Sequence, residues 1–281
     1  MRSVSCITVR TLVVFLGGIG LSIPGVARAW SPDTVVSSAA ASFVAEDCAG
    51  VSNSGDLDGD GFDDILIGSS VSNLEVEFGG KLSVIFGRAT GWNMDTPLDE
   101  ADASFFGVQE DDALGLTVEI VGDVDADGLD DFLVSAVGDG FRPGLVYLVL
   151  GNTSRWTQDT DIDTADAWFV TEGHWDSAIG LTGLGDVDGD GIDDFLIGAR
   201  YNAETATNAG QVYLFLGREE GWAPGTSLAE ADASFLGEFG GDYADALFGR
   251  GDVNGDGLND ILIGAEGNSA AEWCAGQSYL I

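Results

Sequence analysis

The segment GDVDGDGIDDFLIG, residues 185–198, joins a run of alternating aspartates to an apolar strand. Numbering from Asp186 as position 1, carboxylates stand at positions 1, 3, 5 and 9 (Asp186, Asp188, Asp190 and Asp194), with Gly191 at position 6. A chain wrapped around a small sphere can point every second side chain inward, so positions 1, 3 and 5 converge on one centre. Glycine at position 6 takes the positive-φ turn that a side chain resists. Ile192 at position 7 offers only its backbone carbonyl, and Asp194 closes the cage. An all-oxygen, hard donor set fits calcium. No histidine or cysteine stands in the loop, which argues against zinc.

The segment recurs without gaps from Gly55, Gly122 and Gly251, so the first aspartates are Asp56, Asp123, Asp186 and Asp252, spaced by 67, 63 and 66 residues. The expected ligands of the first loop are Asp56, Asp58, Asp60, the Phe62 carbonyl and Asp64. The second uses Asp123, Asp125, Asp127, the Leu129 carbonyl and Asp131, and the third adds the Ile192 carbonyl to its four aspartates. The fourth uses Asp252, Asn254, Asp256, the Leu258 carbonyl and Asp260, with one charge fewer at Asn254 and hence the weakest expected binding. About four calcium ions per chain follow. The position-8 acids Asp63, Asp130 and Asp193 are expected to face solvent. Solvated acidic turns would not require this fixed spacing with glycine at position 6 in all four copies. An EF-hand needs a bidentate Glu at position 12 and flanking helices. Position 12 here is Ile67, Val134, Ile197 or Ile263, inside a strand.

Other features keep the same phase. A strand-like GKLSVIFG, GLVYLVLG, GQVYLFLG or cut-short GQSYLI follows each loop, and ASFVAE, ASFFGV, AWFVTE or ASFLGE precedes it. A Trp stands 13 residues before each Phe of the latter: Trp30, Trp92, Trp156 and Trp222. These aromatics read as packing core of the repeated units and not as ligand-stacking groups. Each unit has four short β-type runs separated by Gly- and Asp-rich turns, and no stretch has a helical period. The fold expected is all-β, a propeller or an array of β modules.

GDVDGDGIDDFLIGA (185–199), with ALFG (246–249) before the fourth loop and IGA (263–265) after it, resembles the FG-GAP repeat of integrin α-subunit propellers and similar bacterial proteins. The resemblance spans essentially all of residues 30–281. It implies a β-propeller of four-stranded blades with calcium in hairpin loops. Repeats run approximately 30–88, 89–152, 153–218 and 219–281, the last read as truncated. Integrin propellers have seven such repeats, so these four either close a ring alone or form part of a larger one. Arg250-Gly251-Asp252 spells the adhesion tripeptide that many extracellular proteins show to integrins. Asp252, however, is position 1 of the fourth loop, and the residues matching Arg250 are Ser54, Val121 and Leu184. An adhesive role for the tripeptide is therefore not expected.

Residues 1–29 read as a secretory signal peptide, with Arg2 and Arg10, an apolar run from Thr11 to Ile23 and Ala27-Arg28-Ala29 as the cleavage site. No later stretch is apolar enough to span a bilayer. A secreted or cell-surface location is expected, with the periplasm as the alternative. Removing the leader takes the net charge from −38 to −41 and leaves seven basic residues, which excludes nucleic-acid binding. Such acidity belongs to a disordered chain or to one that expects cations, and 45% hydrophobic residues exclude the former. A Cys48–Cys274 disulfide would latch a four-unit ring, since both lie on the same face in alternating strands. The single histidine, His174, has no second His and no Gly-x-Ser-x-Gly elbow, so no catalytic residue is assigned. The expected function is a calcium-binding adhesion or ligand-binding module whose partner is an extracellular protein or glycan. The alternatives are the non-catalytic part of an extracellular hydrolase and a purely structural surface protein.

Overall fold

The computed structural model describes residues 12–14, 39–45, 47, 50–72, 76–138, 142–173, 176–269 and 275–281. Trp30, Cys48, His174 and Cys274 lie outside these, and with them the disulfide and histidine readings. Apart from three 3-10 turns at Leu98–Glu100, Ile162–Thr164 and Leu228–Glu230, the described regular structure is strand. Among the described residues, no helix is long and apolar enough to cross a membrane.

A small sheet of Leu12–Val14, Ser42–Val44 and Thr96–Pro97 is followed along the chain by four larger sheets whose main strands are antiparallel. The first orders Val51–Ser52, Ile65–Ser69, Lys81–Ile85 and Ala103–Phe106. The second orders Val118–Gly122, Asp131–Ala136, Leu145–Val149 and Ala167–Val170. The third orders Ala178–Gly185, Asp194–Ala199, Gln211–Phe215 and Ala233–Leu236. The fourth has three described strands, Ala244–Gly251, Asp260–Ala265 and Gln277–Leu280. Each acidic loop joins the first two strands of its sheet.

Sequence repeat and sheet are offset by one strand. ASFF (103–106) precedes the second loop in the chain, yet it pairs with Lys81–Ile85 as the outer strand of the first sheet. Ala167–Val170 and Ala233–Leu236 likewise close the second and third sheets. Ser42–Val44 precedes the first sheet and pairs with Leu12–Val14, a strand within the expected leader. The connection to each outer strand detours to the preceding sheet. Thr160 pairs in parallel with Phe105, Thr226 with Phe169, and Thr96 with Phe43. The first three sheets are thereby stitched to what precedes them by main-chain bonds as well as by apolar contact.

In the first three sheets the strands after the loops are buried along their whole length, with apolar residues on both faces, because both faces are covered. Phe132 and Val134 pack toward the first sheet, in a cluster with Leu57, Leu66, Leu82 and Phe105. Leu133, between them, packs toward the third sheet with Phe195, Ile197 and Phe215. Leu196 then packs on Ile261 and Ile263 of the fourth sheet. Sheets approach so closely that a Cβ on Gly68 would stand 1.9 Å from the Gly115 carbonyl oxygen. Trp222 meets Phe169 and Phe195 edge-on at 5.9 and 5.2 Å, and Trp156 meets Phe105 and Phe132 at 5.8 and 5.6 Å. The aromatics are packing groups, as expected. Trp92, Trp156 and Trp222 each pair with the Phe of the previous repeat, however, and not with the Phe 13 residues ahead.

Among the described residues, nothing covers one face of the fourth sheet. Leu66, Leu133 and Leu196 are fully buried by the next sheet, whereas Leu262 at the same register is 37% exposed. Phe248 on the first strand of the fourth sheet is 63% exposed.

Candidate metal centre

The four acidic loops share one main-chain scaffold that follows from their spacing. The position-1 carboxylate accepts a hydrogen bond from the N–H of the position-6 glycine: Gly61 to Asp56 at 2.8 Å, Gly128 to Asp123 at 2.9 Å, Gly191 to Asp186 at 2.9 Å and Gly257 to Asp252 at 3.0 Å. Position 3 accepts from the N–H of position 5 in each copy, at 3.1 Å in the first three and 2.8 Å from Asp256 to Asn254. Position 5 accepts from the N–H of position 7, from Phe62, Leu129, Ile192 and Leu258. Asp and Asn side chains that close such short turns onto their own backbone are the residues the turn requires. Glycine at position 6 has φ between +88° and +96° in all four loops. Position 4 is also left-handed (Gly59, Gly189 and Gly255), and Ala126 adopts φ +62° there without glycine's freedom.

Position 9 anchors the loop to its sheet. Asp64 is fully buried and accepts from Leu57 N and Gly87 N at 2.8 and 2.7 Å. Asp131 accepts from Val124 N and Gly151 N, and Asp194 from Val187 N and Gly217 N. Burial pushes these carboxyls up, Asp64 to about 7, Asp131 to about 8 and Asp194 to about 6, although the backbone donors pull the other way. A nearby cation would favour the charged form.

Carboxylate oxygens of Asp56, Asp58 and Asp64 lie within 4.8 Å of one another, as do those of Asp123, Asp125 and Asp127 and those of Asp186, Asp188 and Asp194. Asp60 turns away from its cluster to Arg155 Nη2, 2.8 Å distant, and Asp190 and Asp131 stand outside theirs. In the fourth loop Asn254 Nδ2 donates to Asp260 Oδ1 at 3.0 Å, putting an amide donor where the other loops carry acceptors. Asp252, Asp256 and Asp260 form no such cluster among the described residues. The donor set is oxygen throughout. Asp58 Oδ2 is buried and is neutralised by an ion pair with Arg155, so a hard cation would have to replace the guanidinium there.

The position-8 residues do not all face solvent. Asp63 does, but Asp130 is half-buried and its Oδ2 accepts from Asp56 N at 2.7 Å. Asp193 N donates to Asp123 O, and Asn259 Nδ2 donates to Leu184 O at 2.8 Å. Position 8 ties the second, third and fourth loops to the preceding sheet, and Asp63 is exposed because no described loop precedes its own. Arg250 also acts across sheets. Its guanidinium donates to Ile120 O at 2.8 Å and lies 3.4 Å from Ser54 Oγ, while Asp252 is engaged by its own loop. Both charged side chains of Arg250-Gly251-Asp252 thus have internal partners.

Sheets of this kind, each carrying an aspartate loop between its first two strands, define a class. The FG-GAP repeat model matches residues 51–85 and 181–215, spanning the loops and flanking strands of the first and third sheets. The chain is an FG-GAP repeat protein, and its sheets are β-propeller blades. It is similar to integrin α subunits: 31% identical to integrin alpha-PS2 of Drosophila melanogaster over 230 residues, 75% of this chain and 14% of that protein. It is 30% identical to integrin alpha-5 of Xenopus laevis over 173 residues, 58% of this chain and 16% of that protein. With integrin alpha-8 of Homo sapiens it shares 28% identity over 223 residues, 73% of this chain and 20% of that protein. The chain therefore spans a seventh to a fifth of the length of these relatives.

Proposed function

We propose that this chain is an exported, calcium-stabilised propeller segment that acts as an adhesion or ligand-binding module. The observation that carries the metal reading is the carboxylate cluster repeated in the first three loops, an all-oxygen donor set. In the first three loops the ligands are the aspartates at positions 1, 3, 5 and 9 with the carbonyl of position 7. The fourth holds its ion through Asp252, Asn254, Asp256, the Leu258 carbonyl and Asp260, and most weakly. Calcium neutralises three or four carboxylates in one loop, and that loop is hydrogen-bonded to the neighbouring sheet. The ion thus stiffens the contact between consecutive blades. The similarity to integrin α subunits supports the adhesion reading, with an extracellular protein or glycan as the ligand.

The deciding experiment is a thermal melt in calcium and in excess chelator, with the bound ions counted by elemental analysis. Metal that binds only the folded state adds its binding energy to stability. We expect a large drop in melting temperature in chelator and about four ions per chain, from the four loops. A melting temperature indifferent to chelator, with no bound calcium, would refute the metal reading.

A further inference from the structure

The first loop differs from the others in one respect: an arginine from the next sheet reaches into it. Arg155 follows the third strand of the second sheet, immediately before Trp156. The residues that stand before Trp92 and Trp222 are Gly91 and Gly221, both left-handed, with φ +94° and +61°. Arg155 adopts φ +58° in the same slot, a conformation that L side chains enter only at a cost. Something therefore holds it there.

The surroundings show what does. Arg155 Nε forms an ion pair with Asp58 Oδ2, and Nη2 sits 2.8 Å from Asp60 Oδ2, so the guanidinium spans positions 3 and 5 of the loop. The guanidinium carbon lies 4.5 Å above the Phe86 ring, whose other neighbour is the stacked Trp156. The turn is clamped onto the loop by Asn152 N donating to Leu57 O at 2.8 Å, and Arg155 N donates to Asn152 O at 2.9 Å. The matching turn of the third sheet is clamped onto the second loop in the same way, by Arg218 N to Val124 O, but presents Gly221 there. Among the described ion pairs, no guanidinium touches positions 3 and 5 of the other loops.

We infer that Arg155 is a built-in counter-ion of the first loop, which a divalent cation must displace before Asp60 can join Asp56, Asp58 and Asp64. This rests on the metal reading above. Its consequence is a graded response. The second and third loops fill at low calcium, while the first stays neutralised by Arg155 and fills only at higher calcium. When it fills, the guanidinium leaves the loop and one tie between the first and second sheets is exchanged for the ion. A guanidinium is well suited to the waiting state, because its fork engages two carboxylates at once while its face rests on an aromatic ring.

The test is calcium titration of chelator-stripped protein by isothermal calorimetry, with wild type, Arg155→Gly, Arg155→Gln and Arg155→Lys. Gly restores the residue of the sister turns and suits the left-handed backbone. Gln keeps a stem over Phe86 without the charge, so one uncharged variant remains if the other misfolds. We expect one site to tighten about tenfold in both uncharged variants, the others to stay put, and Lys to remain near wild type. In an Asp58→Asn background the gain should vanish, which assigns it to the first loop. Unchanged site affinities in both uncharged variants, with calcium still bound, would overturn the role of Arg155 alone. No calcium binding by any variant would overturn the metal reading and this inference together.

Discussion

Ala126 occupies position 4 of the second loop, where the other three copies have glycine, and its φ of +62° is strained for an L residue. Substituting Ala126→Gly should therefore raise stability by about 1 kcal/mol, since relief of strain outweighs the entropy glycine adds to the unfolded chain. Urea unfolding in saturating calcium would read this directly; a loss of stability would mean that the loop relaxes when the ion binds. Arg250 makes the same kind of point by its partners. A guanidinium with no counterpart in the other repeats becomes a bridge from the fourth sheet to Ile120 of the second. Its neighbours in sequence suggest an adhesion signal, and its neighbours in space are the inner strands.

The strands following the loops illustrate how the same residue type has different energetic weight in different sheets. Leu196 is fully buried between the third and fourth sheets, while Leu262 at the matching register is 37% exposed. Leu196→Ala should cost about 2–5 kcal/mol, whereas Leu262→Ala should cost less than about 1 kcal/mol. Chemical denaturation of the two variants in excess calcium makes the comparison. Equal losses would show that the open face of the fourth sheet is covered in solution. Nothing in the fourth strand-loop-strand sequence announces this difference, because DILIGA and DFLIGA carry the same alternation. Exposure depends on whether another sheet lies on that side.

Across the molecule, acidity and burial act together. The chain carries a net charge of −38, and Asp64, Asp131 and Asp194 hold their protons well above the ordinary carboxylate value of 3.8. In chelator the folded state keeps protons that the unfolded chain has already released. Stability should then be highest near the ordinary value and fall as pH rises through about 6 to about 8, where these buried groups ionise. In calcium the trend should invert, because protons compete with the ion for the same oxygens. Melting temperatures from pH 5 to 8 under both conditions provide the check. Parallel trends in chelator and calcium would mean that the buried carboxylates do not bind the ion.

The loop chemistry and strand type are readable from the chain because both are local. Nine residues hold all the turn-forming side chains and the glycine at position 6, and the alternation of successive side chains between two faces follows from a strand's own geometry. Four in-phase copies then imply a repeated sheet. Assignments that rest on residues far apart in the chain are of another kind. The outer strand joins the sheet of the previous loop, Trp222 meets Phe169 of the previous repeat, and Asp130 reaches back to Asp56 across 74 positions. Arg155 reaches Asp60 across 95 positions, and Arg250 reaches Ile120 across 130. Such pairings are selected by packing between whole sheets and by unpaired charge seeking a partner, and neither leaves a fixed spacing within any one repeat.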